Sequence, residues 1–335
     1  MSDFSLSFAR AHGEALGRAD FKCEPEDFIV IEMLEASDFS GTGGHVCWQI
    51  RKRGQNTRWV AATLAAAMNV AEKDVGFCGM KDRRALTTQW FSVARSDQQV
   101  IPELGIPECE ILQYTRHQRK LRRGGHAGNR FVIRLRNIRP NVGQNAVQNA
   151  IEARLHNIAQ QGVPNYFGDQ RFGFGGQNLA EADRLLQRRQ GTSGQAERAP
   201  GKKGGQQGIY VSAARSYLFN RVLSARVREQ TWSQVYAGEA SPQGPLWGRG
   251  RSCAQGNLAA LENSALLDYQ LWRDALEHFG LKQERRDLIL RPQDFQWSWV
   301  EKDLCLRFNL PVGSYATSLL RELFDVHTPQ PLAML

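Results

Sequence analysis

The stretch FVIRLRNI at 131–138, followed at 145–162 by NAVQNAIEARLHNIAQQG, changes its hydrophobic period within a few residues. In the first segment Phe131, Ile133 and Leu135 alternate with Arg134 and Arg136. Successive strand side chains point to opposite faces, so this reads as a half-buried strand with its basic residues outward. In the second segment Val147, Ile151, Leu155 and Ile158 recur at helical spacing and Gly162 ends the run. That is an amphipathic helix with a glycine stop. A chain that passes from period two to period 3.6 in this way is α+β, and the switch near 145 marks a change of organisation.

Working outward, the N-terminal side is rich in strands. FIVIEML (28–34) is β-branched and apolar, HVCWQIRKR (45–53) places Val46, Trp48 and Ile50 on one face, and TTQWFSV (87–93) follows. One helix interrupts them, with Asn56 as its N-cap and Val60, Leu64 and Met68 on its apolar side. On the C-terminal side, 212–232 and 258–280 read as helices, and the polar, glycine-rich stretch 188–208 between α-helical runs reads as a mobile loop. Strands return with FQWSWV (295–300) and DLCLRFNL (303–310), where Leu304, Leu306 and Phe308 alternate. A last helix, YATSLLREL (315–323), is expected to start from Ser314 as N-cap. Strands, then helices, then strands predict an α+β domain built on a mixed sheet and interrupted by a helix-rich insertion.

The chain has 335 residues, enough for two domains, and 41% of them are hydrophobic, enough for a sizeable core. Its net charge of +9 favours a polyanionic partner. No segment is apolar enough to suggest a membrane span, and no secretory leader is evident at the start, so a cytoplasmic location is expected. The six cysteines are scattered with no C-x-x-C pair, which argues against a zinc knuckle or a disulfide framework. GKKGG at 201–205 lacks the Ser or Thr of a phosphate loop, and FGFGGQN at 172–178 is an incomplete dinucleotide fingerprint. The expected chemistry uses side chains alone, with no metal and no cofactor.

GFCGMKDRRALTTQWFSV (76–93) sets Asp82 among Lys81, Arg83 and Arg84 on a glycine-punctuated turn. Taken alone, this is either a self-compensating surface turn or a carboxylate held ready on a phosphate-attracting surface. YTRHQRKLRRGGHAGNRF (114–131) concentrates Arg116, Arg119, Lys120, Arg122, Arg123 and Arg130 ahead of Phe131. Cations followed by an aromatic suit RNA, since phosphate contacts supply affinity and rings stack on bases. The first five of these cations are the candidate RNA contacts. GVPNYFGDQRFGFGGQN (162–178) reads equally as a packed turn or as a platform facing substrate. Phe28, opening a strand, is by itself more often a core aromatic than a ligand contact.

The blocks EPEDFIVIE, NTRW, GMKDRRA, GNRF, GVPNYFGDQRFG, SAARSYLFN and LPVGSYATSLLREL, in this order, resemble the TruD family of tRNA pseudouridine synthases over about residues 20–324. The resemblance implies a catalytic domain of pseudouridine synthase type at 1–161 and 291–335, with an inserted family-specific module at 162–290. It implies isomerisation of uridine to pseudouridine at position 13 of tRNA, without a cofactor and without an obligate protein partner. Asp82 matches the catalytic position of the family's G-x-K-D block, and Lys81 matches beside it. Carried over by matched position, Phe28, Asn129 and Tyr315 are substrate contacts, Phe131 is the aromatic against the uracil, and Lys22 is the basic partner of the catalytic carboxylate. The rival readings are an RNA-binding or chaperone protein, which has no need of Asp82, and a glycosylase, which would release the base.

Overall fold

The computed structural model describes residues 4–95, 105–141, 144–191 and 204–329. Its strands in chain order are β1 (Gly17–Phe21), β2 (Phe28–Met33), β3 (His45–Arg53), β4 (Gly76–Phe77), β5 (Leu86–Ala94), β6 (Cys109–His117) and β7 (Gly128–Pro140). After them come β8 (Val163–Pro164), β9 (Gln243–Leu246), β10 (Glu284–Asp287), β11 (Ile289–Leu290), β12 (Gln293–Val300), β13 (Asp303–Pro311) and β14 (Asp325–His327). The helices are α1 (Thr57–Ala67), α2 (Gln144–Gln161), α3 (Gln177–Gly191), α4 (Gly204–Arg228), α5 (Gly256–Ala265), α6 (Gln270–Leu276) and α7 (Ala316–Leu320). Among the described residues, no helix is long and apolar enough to cross a membrane.

The chain separates into two compact units. One takes Leu16–Ala150, Pro292–Gly313 and Phe324–Leu335; the other takes Met1–Ala15, Ile151–Arg291 and Ser314–Leu323. The boundaries at Ala150/Ile151 and Arg291/Pro292 fall close to the change of hydrophobic period near 145 and the return of strands near 295, while Met1–Ala15 and Ser314–Leu323 join the helix-rich unit.

The first unit is organised by a ten-stranded mixed sheet in the order β12-β13-β7-β2-β5-β3-β6, with β1 paired to β7 and β14, and β4 paired to β5. β2–β5 and β1–β14 are parallel and the other pairs are antiparallel. The expected alternations hold. Val46, Trp48 and Ile50 on β3 are buried against Val60, Leu64 and Met68 of α1, and Asn56 caps α1 by accepting from Arg58 N at 2.8 Å. Phe131, Ile133 and Leu135 are buried, as are Leu304, Leu306 and Phe308 on the neighbouring strand β13. β6 was not expected: its alternating ladder with β3 runs through a polar sequence, and β3 supplies the hydrogen bonds. As a result the basic run 114–131 is not one loop. Residues 114–117 end β6 and 128–131 begin β7.

Gly128, at the start of β7, is required by the close approach of β13. A Cβ there would lie 2.3 Å from the Leu310 carbonyl oxygen. Gly128→Ala is expected to destabilise the protein by about 1–3 kcal/mol, measured by urea unfolding, with activity also reduced because Asn129 is the next residue. A variant as stable as the parent would show that the strands separate more easily than this spacing implies.

The second unit packs α3, α4 and α6 around Phe172, Leu179, Leu186, Tyr217, Leu218 and Trp272. Phe8 joins this core, its ring stacked on Tyr166 at 5.4 Å and 21°. Gly162 stops α2 with φ +78, its N–H bonded to the Ile158 carbonyl. Three sequence expectations are corrected here. Residues 188–191 are the last turn of α3 and 204–208 the first turn of α4, so helix covers both ends of the presumed loop, and 192–203 lie outside the described residues. Polar Gln and Arg continue a helix at little cost once it is nucleated. The single helix expected at 258–280 is two, α5 and α6, joined by a 3₁₀ turn at Leu267–Tyr269 that lets Leu266 and Trp272 share one core. Finally, the N-cap of α7 is Tyr315 rather than Ser314, with no side-chain cap bond; the helix starts one residue later than propensity suggests.

Candidate active site

The turn between β4 and β5 carries Asp82, and the fold holds it from behind through buried polar groups. Lys81 N–H donates to Thr57 Oγ1 at 2.9 Å, Thr57 Oγ1 donates to Gln89 Oε1 at 2.9 Å, and Gln89 Nε2 donates to the Gly79 carbonyl at 3.1 Å. Thr57 and Gln89 are fully buried. Below the turn, Lys52 is also fully buried and donates from Nζ to the Gln55 carbonyl at 2.6 Å and the Asp82 carbonyl at 3.3 Å. Burial lowers its pKa to about 8, opposed by the charges of Cys109 and Asp82 and reinforced by that of Lys81. The bonds that reach the turn, from Thr57, Gln89 and Lys52, meet its backbone atoms, and the Asp82 side chain is one-third exposed.

Two interactions fix that carboxylate. Its Oδ1 accepts the Arg84 N–H at 2.9 Å and its Oδ2 accepts the Lys22 ammonium. Lys22 adopts a left-handed backbone, φ +60, directly after β1. Such a conformation is disfavoured for a residue with a Cβ by about 1–2 kcal/mol, and here it turns the side chain toward the site. The Lys22 ammonium also lies 4.3 Å from the centre of the Phe28 ring, within cation–π range. Phe28 stacks on Phe131 at 6.0 Å and 24°, and Phe131 stacks on Phe308 at 5.5 Å and 27°. Asp82, Lys22, Phe28 and Phe131 are thus linked by successive contacts, although both phenylalanines are buried.

A second chain of contacts runs beside the first. The Lys81 ammonium donates to Asn129 Oδ1 at 2.7 Å and to Glu32 Oε1 at 3.0 Å. Glu32 Oε2 accepts the Trp90 N–H at 3.1 Å. Glu32, Cys78 and His126 are all buried and bring one metal-ligand-type atom each within 4.8 Å of the others. However, Lys81 already holds the cationic position beside Glu32, and burial keeps the Cys78 thiol protonated, with a pKa of about 12. The donor set fits a lysine better than a metal ion.

Tyr315 belongs to the helix-rich unit and has its own surroundings there. Its hydroxyl accepts from Arg171 Nε at 3.1 Å and its ring meets Phe167 edge-on at 6.0 Å. Arg286 lies over Phe167 at 4.2 Å. The aromatic-rich stretch GVPNYFGDQRFGFGGQN (162–178) thus serves both as core, through Tyr166 and Phe172, and as a setting for Tyr315. Of the five cations expected to meet RNA, Arg119, Arg122 and Arg123 are exposed. Arg116 donates to the Gly43 and Arg95 carbonyls, and Lys120 donates to the Lys73 carbonyl, so both also brace the fold.

A family model, tRNA pseudouridine synthase D (TruD), matches residues 15–189 and 229–323. The chain belongs to the TruD family of tRNA pseudouridine synthases. It is 44% identical to the tRNA pseudouridine synthase D of Cellvibrio japonicus, covering 98% of this chain and 96% of that one. It is 40% identical to the protein of the same name from Hydrogenovibrio crunogenus, covering 96% and 97% respectively. A crystal structure of the tRNA pseudouridine synthase D candidate from Methanosarcina mazei superposes with a TM-score of 0.69 at 20% identity, over 96% of this chain and 97% of that one. The TruD fold, a mixed sheet with a helix-rich part, is the fold seen here.

Four residues that hold the Asp82 turn or Lys81, namely Glu32, Lys52, Thr57 and Gln89, were not singled out from the sequence, although Glu32 closes the block EPEDFIVIE and Thr57 lies within NTRW. For Lys52 a signal was present: it continues the inward phase of Val46, Trp48 and Ile50, and a lysine on the buried face of a strand needs a partner.

Proposed function

We propose that this TruD-family enzyme isomerises uridine 13 of tRNA with Asp82 as the catalytic group. The observation that carries this reading is a one-third exposed carboxylate whose turn is held by buried backbone contacts and whose side chain meets a lysine and an Arg84 N–H. The reaction breaks the N1–C1′ bond, turns the base and forms C5–C1′, with the proton from C5 released and N1 protonated. Substrate and product are isomers, so no energy source is consumed. Asp82 acts as a nucleophile at C1′ or C6, or as a base at C2′; each route needs an ionised carboxylate beside the ribose and ring. Lys22 orients it, Phe28 and Phe131 form the apolar wall against which the base turns, and Asn129 supplies polar recognition. Tyr315 is carried over from the matched family position as a further aromatic substrate contact, and 162–290 is retained as the family insertion. Unstacking the target nucleotide costs a few kcal/mol, which contacts with these rings offset. The enzyme works in the cytoplasm, where its substrate is.

The test is to map pseudouridine in tRNA after incubation with the protein and to weigh the product. An isomerase leaves the RNA mass unchanged; a glycosylase loses the base, and a simple binding protein changes nothing. Pseudouridine at another position would overturn the site assignment while leaving the chemistry.

The exposed arginines of the 118–127 loop serve affinity in this reading. Replacing Arg119, Arg122 and Arg123 by Gln together is expected to weaken tRNA binding and to flatten its salt dependence, by roughly 0.7–0.9 in slope per lost phosphate contact. Turnover on saturating tRNA should stay near the parental value. Collapse of turnover with affinity retained would place these residues in the chemistry instead.

A further inference from the structure

We infer that Glu32 is a positioning residue of this site: through Lys81 it locks the Asn129 carboxamide so that only the N–H edge faces substrate, and Asn129 therefore recognises an acceptor oxygen of the target nucleoside. The inference rests on the reading of Asp82 as the catalytic group, and adds a residue and a direction of hydrogen bonding to it.

The argument begins with donors. A lysine ammonium carries three N–H groups and no acceptor. Whatever part of Asn129 it touches must therefore be the carbonyl oxygen, and the contact is to Oδ1 at 2.7 Å. That uses the acceptor end of the carboxamide on the protein and leaves Nδ2, a pure donor, as the end offered outward. An unanchored Asn can flip its amide and accept a donor as readily as an acceptor; this one cannot flip without placing an N–H against an ammonium.

Lys81 needs a reason to stay. Its side chain is only 5% exposed, and an ammonium so placed requires a counter-charge. Glu32 is that charge. Its carboxylate is itself buried and has both oxygens engaged, Oε1 by Lys81 at 3.0 Å and Oε2 by the Trp90 N–H at 3.1 Å. The register of the sheet completes the device: Glu32 and Asn129 face each other across β2 and β7, so two adjacent strands set the positions that Lys81 bridges. Nothing in this arrangement touches Asp82 except through its neighbour in sequence. Its role is to fix Asn129.

Three acceptor oxygens on a uridine suit such a donor: the keto oxygens O2 and O4 of the base and the oxygen of the ribose 2′-hydroxyl. The experiment separates them. Transcripts carrying uridine, 2-thiouridine, 4-thiouridine or 2′-deoxyuridine at the modified position are given at saturation to the parent enzyme, Glu32→Gln and Asn129→Asp, and kcat and Kd are measured. Asn129→Asp offers Lys81 a carboxylate oxygen in place of the carboxamide oxygen, so that contact survives while the donor is lost. Both variants are expected to lose at least about tenfold in kcat on uridine, with tRNA affinity changed less than about threefold. The parent should discriminate against the one analogue that lacks the contacted oxygen, and both variants should lose that discrimination, a signature that a purely structural role would not produce.

Variants that keep full turnover, or that lose turnover yet discriminate as the parent does, would overturn the inference. So would a parent enzyme that discriminates against none of the three analogues. If Glu32→Gln does not fold, because Lys81 loses its counter-charge, Glu32→Asp takes its place: it keeps the charge but shortens the reach to Lys81, and the same loss of discrimination is expected of it. Asp82→Asn run in parallel keeps the two readings apart: an active Asp82→Asn protein sinks the catalytic assignment, whereas an inactive one beside fully active Glu32 and Asn129 variants sinks only the positioning.

Discussion

Asp82→Asn is expected to lower pseudouridine formation at saturating tRNA by about a thousandfold or more, roughly 4 kcal/mol of barrier, with little change in folding or RNA affinity. The prediction follows from how the turn is held. Three buried supports of this turn reach backbone and none binds the Asp82 side chain: Thr57 receives the Lys81 N–H, Gln89 binds the Gly79 carbonyl, and Lys52 binds the Asp82 carbonyl. Replacing the carboxylate by a carboxamide leaves those bonds in place. The Arg84 N–H still finds an oxygen at Oδ1. What changes is the other end, where an Nδ2 group would face the Lys22 ammonium, donor against donor. The negative charge needed beside the ribose is gone and Lys22 loses its partner. The measurement is pseudouridine formation, with tRNA binding and a melting curve on the same preparation. A folded Asp82→Asn protein with most of its turnover would remove Asp82 from the mechanism. The same experiment separates the enzyme from a chaperone, for which this substitution would be silent.

The supports of that turn also show which parts of the molecule were legible in the sequence. Strand β3 was readable because Val46, Trp48 and Ile50 alternate and are buried as the alternation requires. Helix α1 was readable from Asn56 onward because a cap and an apolar stripe are local signals. Thr57 and Gln89 were not readable as a pair. They lie 32 positions apart, and each is an ordinary polar residue until α1 is laid against β5. Glu32 lay unremarked in the apolar run FIVIEML, and its place beside Lys81 depends on the order β7-β2-β5. Strand β6 was missed because its sequence is polar and its place comes from pairing with β3. Phe28 and Phe131 show the limit in the other direction. The bland reading of Phe28 as a core aromatic matches its burial, while the resemblance made it a substrate contact. Its stacking on Phe131 and its contact with the lysine that holds Asp82 allow the core to be the floor of the site.

Lys52 gives the second large effect, and it appears in stability rather than in rate. An ordinary lysine has a pKa near 10.4; burial lowers that of Lys52 to about 8. The groups that act on it are the Cys109 thiol on the adjacent strand β6, and Asp82 and Lys81 on the turn above. The sign follows from proton binding. Between about pH 8 and 10.4 the unfolded chain keeps this proton while the folded protein has released it, so stability from this group rises with pH in that window. Below pH 8 both states are protonated and the burial penalty is present in full. A shift of this size corresponds to about 3 kcal/mol. Other groups titrate over the same range with the opposite sign. Cys47 and Cys78, for example, are held protonated by burial to about pH 12. The clean quantity is therefore the difference between the parent and Lys52→Met, a substitution that fills the same inward position without a charge. Urea unfolding followed through Trp48 and Trp90, both buried in this unit, should show the parent gaining about 3 kcal/mol on the variant between pH 8 and 10.4. Below pH 8 the difference should be constant. A difference that stays flat across the whole range would mean that Lys52 titrates as it does in water and that its burial is relieved by contacts other than the carbonyls of Gln55 and Asp82.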